Sequence, residues 1–190
     1  MRALALAAAL SLVAWSALAA PPSTWTVDKS TSRLGFTASM NGAPIMGGFG
    51  RWDAQIVFDP ANLPASRVVA TIDTASAKTG DQTRDEALPT GDWFSAKAFP
   101  RATFTSRKIV AAGPGHYVAQ GDLLIRNVSR PIALPFMLDF AGDTAKMTGF
   151  LPIDRSAFGV GQGQWKTGEA VALKVQVNIA ITAKRTVGKP

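Results

Sequence analysis

Residues 171–182 have the sequence VALKVQVNIAIT, in which nearly every second side chain is apolar. One side of an extended chain carries Val171, Leu173, Val175, Val177, Ile179 and Ile181, and the other side carries Lys174, Gln176, Asn178 and Thr182. A period of two residues is typical of a β-strand with one buried face. The stretch therefore predicts a long strand that belongs to a sheet with a hydrophobic side.

The same alternation recurs through most of the chain upstream. Further runs of this kind cover residues 34–40, 52–58, 68–72, 103–109, 117–126, 132–140 and 147–153. Asn41-Gly42 is a hairpin signal, and the runs on either side of it, 34–40 and 52–58, are predicted to form a long antiparallel pair. Pro135 inside another run indicates an edge strand, a bulge or an outward-facing position. Consecutive strands joined by short turns predict an antiparallel sheet, which loses its exposed edges by closing into a barrel.

One stretch, between Thr79 and Phe99, lacks this alternation and predicts a short helix. Asp81 is a typical N-cap residue, residues 84–88 are mostly good helix formers, and Pro89 ends the pattern. The predicted fold is all-β: an antiparallel eight-stranded barrel with a short helical insert between strands 4 and 5. A barrel of this size is wide enough either to be filled by side chains or to hold one small apolar ligand.

The first twenty residues have the pattern of an export signal. Arg2 supplies a positive start, Ala3 to Val13 is apolar, and Ala17-Leu18-Ala19 has the small-x-small spacing of a signal peptidase site. We expect a signal peptide at residues 1–19, cleaved near Ala19 or Ala20, and a periplasmic mature protein; a retained N-terminal anchor helix is the alternative. The expected domain covers residues 24–184, followed by a basic tail at residues 185–190.

Composition excludes several kinds of chemistry. The chain has no Cys and only one His, His116, so disulfides, thiol catalysis, Cys-based metal sites and a Ser-His-Asp triad are excluded or hard to assemble. No pair of nucleophile and base is visible, and we expect no catalytic residues, no metal and no cofactor. The net charge of +7 favours anionic partners. Nucleic acid is not expected among them, because no helix-turn-helix pattern or run of Lys and Arg is present.

A set of short motifs resembles the YceI-like family in order and spacing, from Trp25 to about Lys184. The motifs are Trp25-x-Val27-Asp28, Ser32-x-x-x-Phe36, Gly48-Phe49, Ile56-x-Phe58-Asp59, Arg84-Asp85-x-x-Leu88, Trp93-Phe94, Phe99-Pro100-x-x-Thr103-Phe104, Gly121-Asp122-Leu123-x-Ile125 and Arg155-Ser156-x-Phe158-Gly159. The resemblance implies a lipocalin-like barrel, secreted or periplasmic, whose interior binds a polyisoprenoid chain such as an isoprenoid quinone or a prenyl pyrophosphate.

Two positions bear on that resemblance. Met40 stands where the family often has a His, so no role of that His carries over to this chain. The stretch from Gly159 to Trp165 resembles a Gly-x-Gly-x-Trp variant found in members encoded beside or fused to a membrane b-type cytochrome. This second likeness implies a quinone or electron-transport context.

An apolar tunnel for a prenyl chain needs flat or flexible side chains on its wall. The candidates are Phe36, Met40, Phe49, Trp52, Phe58, Phe104, Phe136, Phe140 and Phe158. Packed core is the alternative role for each of them.

The helical insert supplies a second group of candidates, at the mouth of the barrel. Arg84 is a candidate for an anionic or carbonyl head, and Trp93 with Phe94 for shielding the opening. The alternative is that Arg84 and Asp85 bond to the backbone and to each other and so hold the loop. Arg155, which follows Asp154, has the same two interpretations.

The resulting prediction is a non-catalytic protein that binds or transports an isoprenoid lipid or quinone in the periplasm. The alternative is an interaction module with a filled barrel, whose basic surface contacts a membrane surface or a membrane cytochrome. The sequence leaves the oligomeric state open, a homodimer included.

Overall fold

The computed structural model describes residues 23–186, which contain eleven β-strands and one α-helix. The strands are β1 Thr24–Val27, β2 Arg33–Met40, β3 Ala43–Phe49, β4 Trp52–Val57, β5 Arg67–Asp73, β6 Ala77–Lys78, β7 Arg101–Ala111, β8 His116–Ile125, β9 Val128–Ala141, β10 Thr144–Asp154 and β11 Lys174–Thr186. The helix, α1, spans Gln82–Ala87. The predicted export signal and residues 187–190 lie outside the described residues.

The strands close into an antiparallel barrel. Its order is β1-β4-β5-β7-β8-β9-β10-β11, and β11 pairs with β1 to complete the ring. β2 also pairs with β11, β3 pairs with β2, and β6 pairs with β3. Three barrel strands are therefore built from two segments each: β1 with β2, β3 with β4, and β5 with β6. The predicted eight-stranded antiparallel barrel is confirmed.

β11 is the strand that closes the ring. It pairs with β10 over eleven residues, from Lys174 to Lys184, and on its other side it pairs with β2 and then β1. The strand extends into the predicted basic tail at residues 185–190. Arg185 pairs with Trp25 and Thr186 with Thr24, and these pairs help to close the barrel.

The hairpin after β2 differs from the prediction. Asn41 and Gly42 both have positive φ, 50° and 80°, as a two-residue hairpin turn requires. The returning strand is therefore β3, which starts at Ala43, and β2 does not pair with residues 52–58. Alternation failed to reveal β3 because it contains Gly47, where a Cβ would overlap the ring of Phe36.

The helical insert begins as predicted and lies one strand earlier. Asp81 caps α1, its carboxylate accepting a hydrogen bond from the backbone N–H of Arg84 at 3.0 Å. The insert follows β6 and precedes β7, which places it between the third and fourth barrel strands. The alternating runs in the sequence agree with this position, since the insert follows the third of them, residues 68–72; the predicted numbering of strands 4 and 5 is one too high.

Candidate functional site

The barrel encloses a cavity of about 280 Å³. Side chains from the barrel strands and from the helical insert form its wall, and the lining residues are apolar with one exception, Arg155. A largely preformed apolar space with few polar groups is typical of a site for a hydrophobic ligand. The lining supplies no group of acids, bases or nucleophiles.

Eleven of the thirteen predicted site residues line this cavity. They are Phe36, Phe49, Trp52, Phe58, Trp93, Phe94, Phe104, Phe136, Phe140, Arg155 and Phe158. Two residues predicted for the site, Met40 and Arg84, do not. They line a shallow surface depression between the β2–β3 hairpin and the start of the insert. Met40 is the last residue of β2 and bridges to Val171, which itself lines the cavity.

Arg84 serves the local structure of the insert. Its Nε donates to the Thr79 hydroxyl at 3.2 Å, and a terminal nitrogen lies 3.6 Å from the Asp81 carboxylate. Asp85 accepts bonds from the backbone N–H and the hydroxyl of Thr79, at 2.6 and 2.9 Å. The side chains of Arg84 and Asp85 thus both contact Thr79 and hold the loop, while Arg84 pairs with Asp81 rather than with Asp85.

Side chains from all sides of the barrel line the cavity, but they differ in exposure. Inward side chains of β7, β8 and β9 are packed, since Phe104, Ala119 and Leu134 are only 7%, 3% and 6% exposed. Most lining side chains across the barrel, on β2, β4 and β11, are half-buried. The more exposed half of the lining is therefore the wall formed by β2, β4 and β11.

The wall predicted from the sequence consisted of aromatic side chains and Met40, so it missed one aromatic residue, Trp25, and the aliphatic lining residues. The missed lining residues include Trp25, Leu34, Ile56, Leu88, Val175, Val177, Ile179 and Ile181. The alternation in residues 171–182 had already placed four of these on the buried face of a strand. What the pattern lacked was any sign that the space in front of them is empty.

Aromatic rings fill one end of the barrel. The Phe58 ring is 5.2 Å from Tyr117 and 6.4 Å from both Phe136 and Phe140, and the rings of Trp25 and Phe140 are 5.6 Å apart. The indole N–H of Trp25 donates to the Phe58 carbonyl at 2.9 Å, which satisfies the only donor of this side chain. Phe140 lines the cavity and is 41% exposed, so it lies at the surface end of this cluster.

The insert and the loop of residues 159–172 cover the other end. The Trp93 and Trp165 rings are 5.5 Å apart, and the backbone N–H groups of Gly161 and Gln162 both donate to the Asp92 carbonyl, at 2.8 and 2.7 Å. Arg126, in the turn after β8, donates to the Trp93 carbonyl at 2.6 Å. These contacts hold Trp93 at this end of the barrel, where it lines the cavity together with Phe94.

Arg155 holds the covering loop from beneath. It is 3% exposed, and each of its five N–H groups donates to a backbone carbonyl. The acceptors belong to Val160, Gly161, Trp165, Val171 and Ala172, at 2.8, 3.4, 2.6, 2.6 and 3.0 Å. Burial lowers the pKa of the guanidinium, and the nearby carboxylate of Asp154 opposes that shift. Because all five donors are used, Arg155 has none left for a ligand head.

The buried position of Arg155 also requires a glycine at residue 161 of this loop. Gly161 has a φ of 84°, and a Cβ there would overlap the guanidinium of Arg155. The Gly-x-Gly pattern of the sequence thus lets the chain fold around an arginine. It forms no phosphate-binding loop.

Other kinds of site are not found in residues 23–186. No group of three or more His, Asp or Glu side chains is placed to hold a metal ion. No helix in this part of the chain has both the length and the apolar character needed to cross a membrane. The wall of the cavity, with its hydrophobic surface and engaged arginine, fits an apolar ligand and offers no ligands to a metal.

The fold and the cavity define an antiparallel β-barrel protein with an apolar internal cavity. The model of the YceI-like domain matches residues 25–183, and the chain belongs to this family.

The curated relatives support the same assignment. Protein YceI of Escherichia coli is 33% identical over 109 residues, which is 56% of each chain. A UPF0312 protein of Vibrio cholerae is 34% identical over 90 residues, covering 47% of this chain and 48% of the relative. The chain thus matches about half the length of these relatives.

Solved structures extend the comparison to most of the barrel. BcnA of Burkholderia cenocepacia is 36% identical, with a TM-score of 0.81, and the match covers 83% of this chain and 99% of that one. A polyisoprenoid-binding domain from Saccharophagus degradans has a TM-score of 0.66 over 87% of this chain and 99% of its own. At 13% identity, this second likeness concerns the fold alone.

Proposed function

We propose that this protein binds an isoprenoid lipid chain inside its barrel and carries it between a membrane and a periplasmic client, without catalysis. The observation that carries the proposal is the cavity, about 280 Å³ in volume and apolar throughout except for an arginine that the backbone already satisfies. This is close to the lower end of the volumes of small-molecule sites, about 300–1,000 Å³.

The wall suits a chain better than a polar molecule. Burying each CH₂ group of a ligand contributes about 0.8 kcal/mol, so a few isoprene units supply useful affinity without any hydrogen bond. A charged head placed inside the cavity would lose its hydration and find no free donor, because Arg155 has none. The tail of the ligand therefore occupies the barrel while its head stays at the surface.

Two further points favour an isoprenoid over other apolar chains. Aromatic rings such as Phe36, Phe49 and Trp52 give the wall the flat surfaces on which branched methyl groups pack well. A polyisoprenoid-binding domain of another organism shares the fold, which makes isoprenoids the first chains to test. The volume left inside the barrel favours this function over an interaction module with a filled barrel.

The test is recovery of the lipid from the native protein. The full chain is expressed in a bacterium, purified from the periplasmic fraction without detergent, and examined by native mass spectrometry and lipid extraction. We expect a bound prenyl lipid in stoichiometric amount, and quenching of tryptophan fluorescence when a quinone with two isoprene units is added. A protein without lipid that also fails to bind the quinone would contradict the proposal.

Location is tested in the same experiment. Residues 1–20 predict export, so the mature chain should appear in the periplasmic fraction with an N-terminus near Ala20. Recovery of the uncleaved chain in the membrane fraction would indicate a retained anchor.

A further inference from the structure

The barrel wall is interrupted between its first two strands. β1 pairs with β4 at only two positions, Thr24 opposite Val57 and Trp25 opposite Ile56. Pairing resumes between β2 and β3, where Gly35 lies opposite Gly48. Between these points, residues 26–34 and 49–55 face each other without strand pairing. We call these two unpaired stretches the lateral gap.

Both sides of the lateral gap are held by their outer neighbours. Residues 28–32 bulge out of line between β1 and β2, and the bulge is fixed to β11 because the Asp28 N–H donates to the Thr182 carbonyl at 2.8 Å and the Thr182 N–H donates to the Ser32 hydroxyl at 2.9 Å. On the opposite side, β4 pairs with β5 from Trp52 onward. The opening is therefore confined to one interstrand space.

The lateral gap leads to the cavity. Leu34, Phe49, Trp52 and Ala54 border it, line the cavity and are half-buried. Strand pairing also stops between β9 and β10, after Phe136 opposite Gly149.

That second unpaired stretch differs because the side chains beside it are buried. Leu134, Leu151 and Phe158 beside it are 6%, 7% and 3% exposed. These three residues also line the cavity, but they are buried, whereas those beside the lateral gap are half-buried, so the lateral gap is the more open of the two interruptions.

One side chain spans the lateral gap. The ammonium of Lys29, on the bulge, donates to the Trp52 carbonyl at 2.6 Å and lies 3.1 Å from the Asp53 carboxylate. It also stands 3.7 Å from the centre of the Trp52 ring. The Lys29 and Asp53 side chains are 45% and 75% exposed, so water screens their attraction and the contact is weak enough to open by thermal motion.

We propose that the lateral gap is the entrance through which a flexible apolar chain reaches the cavity, and that Lys29 closes it reversibly. The inference rests on the proposed function and adds the route of the ligand. A chain passing sideways between the strands enters without displacing the cover formed by Trp93 and Trp165. The head of the ligand can remain in water throughout.

The absence of Cys from the chain allows a direct test. Lys29→Cys with Asp53→Cys places two thiols across the lateral gap, and a short bismaleimide joins them. The control is Arg107→Cys with Asp122→Cys, whose charged groups are 3.4 Å apart across the paired strands β7 and β8. Stopped-flow quenching of tryptophan fluorescence by the quinone with two isoprene units measures association and dissociation.

Linking positions 29 and 53 should slow association and dissociation at least tenfold and leave Kd within about twofold. Linking positions 107 and 122 should change neither rate. Unchanged rates after linking positions 29 and 53 would overturn the entrance and indicate entry through an end of the barrel. A loss of affinity with an unchanged association rate would also overturn it, since the gap would then belong to the binding site itself.

A single substitution gives an independent measurement. Lys29→Met keeps the length of the side chain and removes its charge, so association should become several-fold faster. Arg51→Met is the matched control, because Arg51 lies on the same side of the gap, between β3 and β4, but pairs with Asp73 of β5 at 2.7 Å and does not span the gap. Equal effects of the two substitutions would contradict a specific role for Lys29. If the unaltered protein binds no quinone, the proposed function fails, and an intact Kd with unchanged rates contradicts the entrance alone.

Discussion

The guanidinium carbon of Arg155 lies 5.4 Å from the centre of the Trp93 ring. Through this contact the arginine that organises the loop of residues 159–172 also touches the insert that covers the cavity. Two segments far apart in sequence are thereby joined over the same end of the barrel. The cation contributes to structure at this point, and its charge is balanced by carbonyl oxygens and an aromatic face.

Replacing Arg155 should strongly destabilise the protein. Arg155→Met leaves five carbonyl groups without their donor, several of them buried, and we expect a loss of about 2–4 kcal/mol in the free energy of unfolding. Arg155→Lys should recover only part of this loss, because an ammonium has three donors and no planar fork. Urea denaturation followed by circular dichroism measures both. As a control, Arg107→Met on the outer face should cost less than about 1 kcal/mol. A stable Arg155→Met variant would show that the loop does not depend on the arginine.

A larger side chain inside the cavity should lower the affinity for the ligand without lowering the stability of the fold. Ala38 lines the cavity wall on β2, so Ala38→Phe places a phenyl ring in the space proposed for the ligand. We expect quinone affinity to fall at least tenfold, with a melting temperature equal to or above that of the unaltered protein. Ala133→Phe adds the same volume to the exposed face of β9 and should leave affinity unchanged. Equal binding by both variants would place the ligand elsewhere.

The insert should lose stability in acid through Asp85. The N–H of Thr79 lowers the pKa of this carboxyl most strongly, with help from the Thr79 hydroxyl and Lys78, while burial opposes the shift. A lowered pKa in the folded state means that the carboxylate stabilises the fold above the unfolded pKa, about 3.9, and that this contribution disappears as the pH falls through the folded value.

Melting temperatures between pH 7 and pH 3 test this expectation. Asp85→Asn keeps an acceptor and loses the charge, so the variant should be less stable at pH 7 and should lose less stability below pH 4. Asp139→Asn, on the exposed face of β9, is the control and should follow the unaltered protein. Parallel curves for Asp85→Asn and the unaltered protein would contradict the assignment.

The approach of β3 to β2 should depend on Gly47. A Cβ at this position would overlap the Phe36 ring and come within 2.7 Å of the Lys78 carbonyl. Gly47→Ala should therefore lower the free energy of unfolding by about 1–3 kcal/mol, the usual range for overpacking. Gly91→Ala is the matched control, since a Cβ there meets nothing within 4 Å. Thermal unfolding of the two variants gives the comparison, and equal stability would show that β3 can shift without cost.

Alternation predicted the barrel because the strands with large apolar side chains at every second position are those that face the cavity. It missed β3, whose two adjacent glycines remove the pattern, and it missed the division of three barrel strands into paired segments. Both failures have one cause, since a period of two residues reports which side of a strand is buried and says nothing about its partner.

The sequence by itself determined the fold class, the family motifs and most of the aromatic wall, because these depend on the residue type at each position and on local periodicity. Tertiary structure alone decided three properties. All five N–H groups of Arg155 donate to backbone carbonyls, Arg84 lies outside the cavity, and strand pairing is interrupted beside Lys29. These properties depend on distances between residues far apart in the chain, such as Lys29 and Trp52 or Arg155 and Trp93. Only the closed barrel brings such residues together, and the sequence around each residue does not indicate which distant residue it will contact.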